Sequence, residues 1–202
     1  MTLETTVLDG ADMARTLARI AHEIVEGHPD PDSVVLVGIH TRGAVLAARL
    51  QERLSALTGT DVPLGDLDIA FYRDDLGEVP DAHHHDEAGP VIHATHLDGI
   101  PLEDRSVVLV DDVLFTGRTI RAAIEAIFDY GRPGRVQLAV LVDRGHRELP
   151  IRADYVGKNL PTAVAERVNV RVSEIDGRDE VAIERRHVDP PTPTDPPEDR
   201  AA

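Results

Sequence analysis

Residues 107–119 read Val-Val-Leu-Val-Asp-Asp-Val-Leu-Phe-Thr-Gly-Arg-Thr, and this stretch constrains the fold more than any other. Val107 to Val110 form the short, unbroken apolar run of a strand buried on both faces, as in a parallel sheet. Two carboxylates, Asp111 and Asp112, follow at its C-terminal end. Thr116-Gly117-Arg118-Thr119 then makes a donor-rich turn that opens a helical segment. Ligands of open α/β sheets bind where strands end and helices begin. Backbone N–H groups at a helix start hold phosphate, and Thr hydroxyls add donors. Acidic residues one turn earlier disfavour a phosphate. They suit hydroxyls, or a metal held through water. A ribose 5-phosphate carries both a phosphate and a neighbouring diol. Adjacent Asp residues at a buried strand end are costly without such a partner.

The remaining pattern agrees with an α/β chain. Asp9 or Asp12 can cap a first helix over about 11–26, with Met13, Leu17, Ile20 and Ile24 on its inner face. Val34 to Ile39 reads as a buried strand, followed by the turn His40-Thr41-Arg42-Gly43 and a helix from Ala44 to about Leu57. Asp68 to Tyr72 reads as a third strand. A helix is expected from Arg118 to Tyr130, ended by Gly131, and another buried strand from Val136 to Val142. Residues 143–158 look polar and irregular. Val168 to Val172 and Val181 to Ile183 alternate like short edge strands. Strands alternating with helices imply right-handed crossovers and a parallel sheet. Three loops, 38–43, 111–119 and 143–156, then meet at one edge.

With 202 residues, one domain over 1–187 is expected. Residues 73–104 read as a flexible loop or lid. Residues 188–202, acidic and rich in proline, read as a disordered tail. The chain has no cysteine, so disulfides and thiolate metal sites are excluded. No signal peptide or membrane-length apolar run is present, so a cytoplasmic protein with no membrane role is expected. The formal net charge is −16. That argues against indiscriminate nucleic-acid binding but leaves room for a local basic patch. Lys158 is the single lysine; the other bases are Arg.

Four constellations bear on chemistry. Gly38-Ile39-His40-Thr41-Arg42-Gly43 sits at a strand end. Its glycines permit close ligand approach, and Arg42 can fork onto phosphate oxygens. Arg73, opening the long loop, is placed to neutralise a leaving group. His83-His84-His85, with His93 and His96 nearby, invites a metal reading. Structural metal sites, however, draw spaced ligands from ordered elements, so a solvated loop is expected. Residues 142–159 crowd Arg144, Arg147, Arg152, Lys158 and His146 into a basic loop able to bind phosphates.

The 107–119 segment resembles the phosphoribosyl-diphosphate (PRPP) motif of type I phosphoribosyltransferases. Further matches are Arg19-Ile20-Ala21-His22-Glu23, Val37 to Gly43, Tyr72-Arg73-Asp74-Asp75-Leu76, Gly131-Arg132-Pro133, and 142–159 with Pro161-Thr162. With them, residues 5–185 resemble the pyrimidine-operon regulator family, which is bifunctional as a uracil phosphoribosyltransferase. The resemblance implies a type I phosphoribosyltransferase fold: a central parallel sheet flanked by helices, a flexible lid loop and a small C-terminal hood. It implies formation of UMP and diphosphate from uracil and PRPP. Asp111 and Asp112 would meet the ribose hydroxyls, and Val113, Leu114, Phe115, Thr116, Gly117, Arg118 and Thr119 would complete the PRPP site. Thr41, Arg42 and Gly43 would hold the diphosphate, with Arg73 beside it. Mg²⁺ would be bridged by PRPP, with no direct protein ligand. Arg144 and Val156 would lie near the base. The family also binds pyrimidine-operon leader RNA, more tightly with UMP or UTP; the matching candidates are Arg19, His22, His146, Arg147, Arg152 and Lys158. A homodimer or higher homo-oligomer is implied. Two departures stand out: Ala18 where the family commonly has a hydroxyl, and His40 for its usual lysine. The alternatives are a nucleotide-sensing regulator with little turnover, and a transferase for another base without RNA binding.

Overall fold

The computed structural model describes residues 2–70, 72 and 94–186. The tail 188–202, the His83–His85 triplet, Arg73 and most of the 73–104 loop lie outside the described residues.

The body is a five-stranded parallel sheet. Its strands are β2 (Val34–Ile39), β3 (Leu64–Leu67), β4 (Ser106–Leu114), β5 (Arg135–Asp143) and β6 (Tyr155–Asn159), in the order β3-β2-β4-β5-β6. All six residues of β2 are buried, as expected of a strand covered on both faces. Helices α1 (Gly10–Gly27) and α2 (Arg42–Thr58) share one core cluster with Leu36, Val108 and Leu141. Helix α3 (Arg118–Tyr130) covers the other face, where Ile120, Ala123 and Ile127 meet Val35, Leu109 and Val140. The expected α/β class and parallel sheet are borne out.

Both caps foreseen for α1 operate together. Asp9 accepts from the Asp12 N–H at 2.8 Å, and Asp12 accepts from the Asp9 N–H at 3.4 Å. The pair forms a reciprocal capping box that fixes where the chain turns into the helix. The core residues Met13, Leu17, Ile20 and Ile24 are each no more than 2% exposed.

Four expectations need correction. The third strand is Leu64–Leu67, not 68–72; Asp68 instead turns the chain, accepting from the Ala70 N–H at 2.8 Å. Residues 143–158 are not irregular throughout, because β6 occupies 155–159 as the fifth parallel strand. Strand β4 runs on through both aspartates to Leu114, which pairs with Asp143. Finally, the chain opens its described part with a strand that the expected elements do not include, β1 (Thr2–Asp9). This strand pairs antiparallel with β8 (Glu180–Arg186), which pairs with β7 (Glu166–Arg171). With α4 (Ser173–Asp176), these strands form a second, three-stranded sheet: the expected hood, completed by the start of the chain.

Candidate active site

Gly38 of β2 pairs with Val110 of β4, so the segments following them emerge side by side. Asp111 is 7% exposed, and its Oδ1 accepts from the Asp112 N–H at 2.9 Å. Asp112, half-buried, accepts from the Val113 N–H at 2.8 Å. Each carboxylate is thus oriented by the next peptide. The turn that follows needs Gly117, whose φ is 95°, a left-handed conformation that other residues rarely adopt. Among the described residues no side chain caps α3. The Arg118 N–H donates to the Thr116 hydroxyl at 3.4 Å, so the hydroxyl and the start of α3 stand together at the end of β4, as in a helix-terminus phosphate site.

The second loop is pressed onto the first. A Cβ on Gly43 would stand 2.4 Å from the Val110 carbonyl oxygen and 3.2 Å from the Asp111 Cα. A Cβ on Gly38 would stand 2.4 Å from the Ala44 Cα. Only glycine permits this approach, which brings Gly43 against the backbone of Val110 and Asp111. The His40–Thr41 peptide is cis. The Arg42 guanidinium donates to Asp176 in α4 at 2.8 and 3.3 Å. The Asp176 carboxyl lies below its ordinary range: burial opposes this, but the bonds from Arg42 and the Val172 N–H outweigh it.

The third loop is laced to the first. The Glu148 and Leu149 N–H groups both donate to the Thr116 carbonyl, and Arg118 donates to Glu148 at 2.7 Å. Arg144 is 7% exposed, with its guanidinium carbon 4.2 Å from the centre of the Phe115 ring. It donates to the Thr162 hydroxyl at 3.2 Å and the Glu166 carbonyl at 2.7 Å. Burial lowers its pKa. His146 meets the edge of Phe115, with ring centres 6.0 Å apart. Two residues of the 143–156 loop, Arg144 and His146, thus pack against Phe115.

The phosphoribosyl transferase domain family matches residues 4–173. Three proteins called "Bifunctional protein PyrR" are similar over nearly the whole chain. That of Streptomyces coelicolor is 57% identical over 88% of this chain and 88% of its own length. That of Deinococcus radiodurans is 54% identical over 89% and 94%. That of Limosilactobacillus fermentum is 53% identical over 89% and 97%. The chain belongs to the PyrR family. Two solved structures share the fold at low identity. A Staphylococcus aureus hypoxanthine phosphoribosyltransferase has TM-score 0.63 at 19% identity, covering 88% of this chain and 90% of that one. A Trypanosoma cruzi hypoxanthine phosphoribosyltransferase in complex with its product IMP has TM-score 0.61 at 17% identity, covering 89% of each.

Loops 38–43 and 111–119, the two segments that resemble PRPP-binding loops, come together at neighbouring strand ends. The base candidates are spread differently. Arg144 points its donors at residues 162–166, and the Val156 carbonyl accepts from Arg19 at 3.0 Å. The RNA candidates divide into two sets. Arg147 turns inward, donating to the Leu114, Phe115, Gly145 and Ile151 carbonyls and, at 2.5 Å, to Asp143. The His146 ring contacts the Thr162 carbonyl at 2.6 Å. Arg15, Arg19, His22 and Arg152 are exposed, and Lys158 is half-buried on β6. Helix α1 neutralises part of its own basic face: Arg15 pairs with Asp12, and Arg19 with Glu23, each at 2.5 Å.

Asp111 and Asp112 offer hard carboxylate oxygens beside the site, which suits a Mg²⁺ carried by a substrate's own oxygens and met by the protein through water. Among the described residues no cluster of three or more His, Cys, Asp or Glu could hold a metal. Three contacts of the site gave no signal in the sequence: Asp66 on His40, Asp176 on Arg42, and Arg144 on Phe115. The first two join residues 26 and 134 positions apart, beyond any local pattern.

Proposed function

We propose that this PyrR chain is a uracil phosphoribosyltransferase that also binds pyrimidine-operon leader RNA under the control of UMP or UTP. It would act in the cytoplasm as a homo-oligomer. The observation that carries the reading is the packing of Gly43 against Val110 and Asp111, which joins a diphosphate loop to a ribose 5-phosphate motif.

In the proposed reaction, uracil N1 bonds to C1 of the ribose as the bond from C1 to diphosphate breaks. The N1 proton is released and diphosphate leaves with the bonding electrons. Asp111 and Asp112 hold the ribose hydroxyls and face the positive charge that grows on the sugar. Thr116 to Thr119, with the start of α3, hold the 5-phosphate. Thr41 to Gly43 hold the diphosphate, and Arg73 would neutralise it from the long loop. Phe115, fixed by Arg144 and His146, forms a rigid wall, and Arg144 and Val156 are proposed to lie near the base. Mg²⁺, when bound with PRPP, would offset negative charge on the diphosphate. Catalysis is then mostly positioning and charge stabilisation, with no nucleophilic side chain.

Asp111→Asn combined with Asp112→Asn should abolish UMP formation in a protein that still melts cooperatively. Near wild-type kcat/KM in the double variant rejects the assignment. Diphosphate release tested across uracil, orotate, hypoxanthine and guanine should single out uracil. For RNA, Arg19, His22, His146 and Arg152 are exposed and Arg147 and Lys158 half-buried; His146 and Arg147 also make the contacts that shape the loop carrying Arg152. Leader RNA affinity should fall with salt, with a log–log slope of roughly −0.7 per phosphate contact. UMP should tighten RNA binding and, by linkage, RNA should tighten UMP binding equally. If no leader RNA binds, the regulatory half is wrong and the transferase half stands.

A further inference from the structure

We infer that Asp66 is a positioning residue for the diphosphate half of the site, acting through His40. The inference rests on the reading of loop 38–43 as the diphosphate loop. Asp66 lies in the edge strand β3, directly paired with Gly38, the first residue of that loop. Its Oδ1 is 2.5 Å from His40 Nε2 and 3.0 Å from His96 Nδ1. The His40 N–H donates to the carbonyl of the next strand residue, Leu67, at 3.0 Å. His40 is therefore held at backbone and ring by two successive residues of one strand. The carboxylate itself is braced by His96, which bonds the Asp66 backbone at both N–H and carbonyl as well as through its ring.

A strand gains little from aspartate at such a position. A negative charge close to a diphosphate is also unfavourable unless it is spent on something else. Here it fixes the orientation of the ring that opens the loop, much as carboxylates fix the imidazoles of metal ligands. Beyond His40 the loop is confined by the contact of Gly43 with Val110, so the peptides of 40–43 have both ends anchored. Donors held in place before the anion arrives need no reorganisation when it binds.

The test uses the full chain. Binding of magnesium diphosphate is measured by calorimetry, beside steady-state KM for PRPP and for uracil. Asp66→Ala should weaken diphosphate and raise the PRPP KM by about tenfold, the lower end for losing a residue that orients a binding group. The uracil KM and the melting temperature should hold. Asp66→Asn keeps an acceptor for His40 and should stay close to wild type. His40→Ala should match Asp66→Ala, and the double variant should be no worse than either, because the two act as one unit. Unchanged diphosphate affinity in Asp66→Ala overturns the inference. So do losses that multiply in the double variant, or a uracil KM that rises along with that of PRPP. If Asp66→Ala does not fold, His40→Ala decides alone, and unchanged affinity there also overturns it. Wild-type protein that neither binds diphosphate nor forms UMP would instead bring down the underlying site reading.

Discussion

The five-stranded body and the three-stranded hood are held together by different physics. In the body, the central strands carry unbroken apolar runs; Val107, Val108 and Leu109 are completely buried. The hood also buries an apolar face, with Val168, Val170, Val172 and Val181 joining the core of α1 and α2. Its edges, however, are fastened by arginine–carboxylate pairs. Arg171 reaches Glu4 at 2.5 Å and Glu180 at 2.7 Å, tying β7 to β1 and β8. Arg49 of α2 reaches Glu174 at 2.5 Å and Asp179 at 2.7 Å, and Arg42 reaches Asp176 at 2.8 Å. Apolar burial is indifferent to pH, whereas these pairs need ionised carboxylates. A chain of net charge −16 has thus gathered several of its acids around a few arginines, where the charge is useful.

The largest effect should come from the body. Leu109→Ala, at a fully buried site on the central strand, should cost about 3 kcal/mol in a urea melt, by lost transfer energy and the cavity left behind. A loss no greater than that of a hood ion pair would erase the distinction.

Arg171→Ala should cost less, about 1–2 kcal/mol. It removes charge-assisted bonds from two carboxylates at a half-buried seam. The same seam should be sensitive to acid. The Glu4 carboxyl lies below its ordinary range because of its bond from Arg171, and Glu174 does so because of Arg49. Glu180 is lowered by Thr6 and then Arg171, and Asp179 by Arg49 against the opposing effect of burial. A carboxylate with a lowered folded pKa stabilises above its unfolded pKa, and that stability is lost as pH falls through the folded value. Hydrogen exchange should therefore show β1, β7 and β8 losing protection below the usual carboxylate range, ahead of β2, β4 and β5. Simultaneous loss in both sheets would show that the hood has no separate acid response.

The smallest effect should be at Arg121→Ala. Its pair with Glu125, at 3.2 Å on the outside of α3, is 45% and 51% exposed. About 0.3 kcal/mol is expected, shrinking with salt.

The sequence made the body readable because burial on both faces writes itself as apolar runs, as in 34–39 and 136–142. Loops 38–43 and 111–119 are legible because glycines and adjacent aspartates mark a special backbone. Strand β3 was misplaced because Leu64-Gly65-Asp66-Leu67 has two poor strand formers, while the more apolar residues after it looked the better strand. Pairing with β2 decides the matter. Strand β6 was missed because it contains Gly157, Lys158 and Asn159. The glycine is needed there: a Cβ would stand 2.4 Å from the Leu141 carbonyl oxygen and 2.7 Å from Thr16. Strand β1 buries little beyond Leu8, and its Leu3 is 67% exposed, so its alternation is faint. The inward turn of Arg147 is only partly local: Asp143, Gly145 and Ile151 accept from within its own loop, but Leu114 and Phe115 lie more than thirty positions away.

The pairing of β1 with β8 has a consequence for the order in which the molecule is made. Thr6 meets Glu180 across 174 residues, so β1 finds its partner only after β8 has been synthesised. Until then β1 is an unsatisfied edge on a nascent chain, a condition that invites pairing with other chains. The parallel sheet, whose strands pair across shorter stretches, can assemble earlier. Closure of the hood would then follow assembly of the parallel sheet, and a chain stalled before residue 180 would carry loops 38–43 and 111–119 with no partner strand for β1.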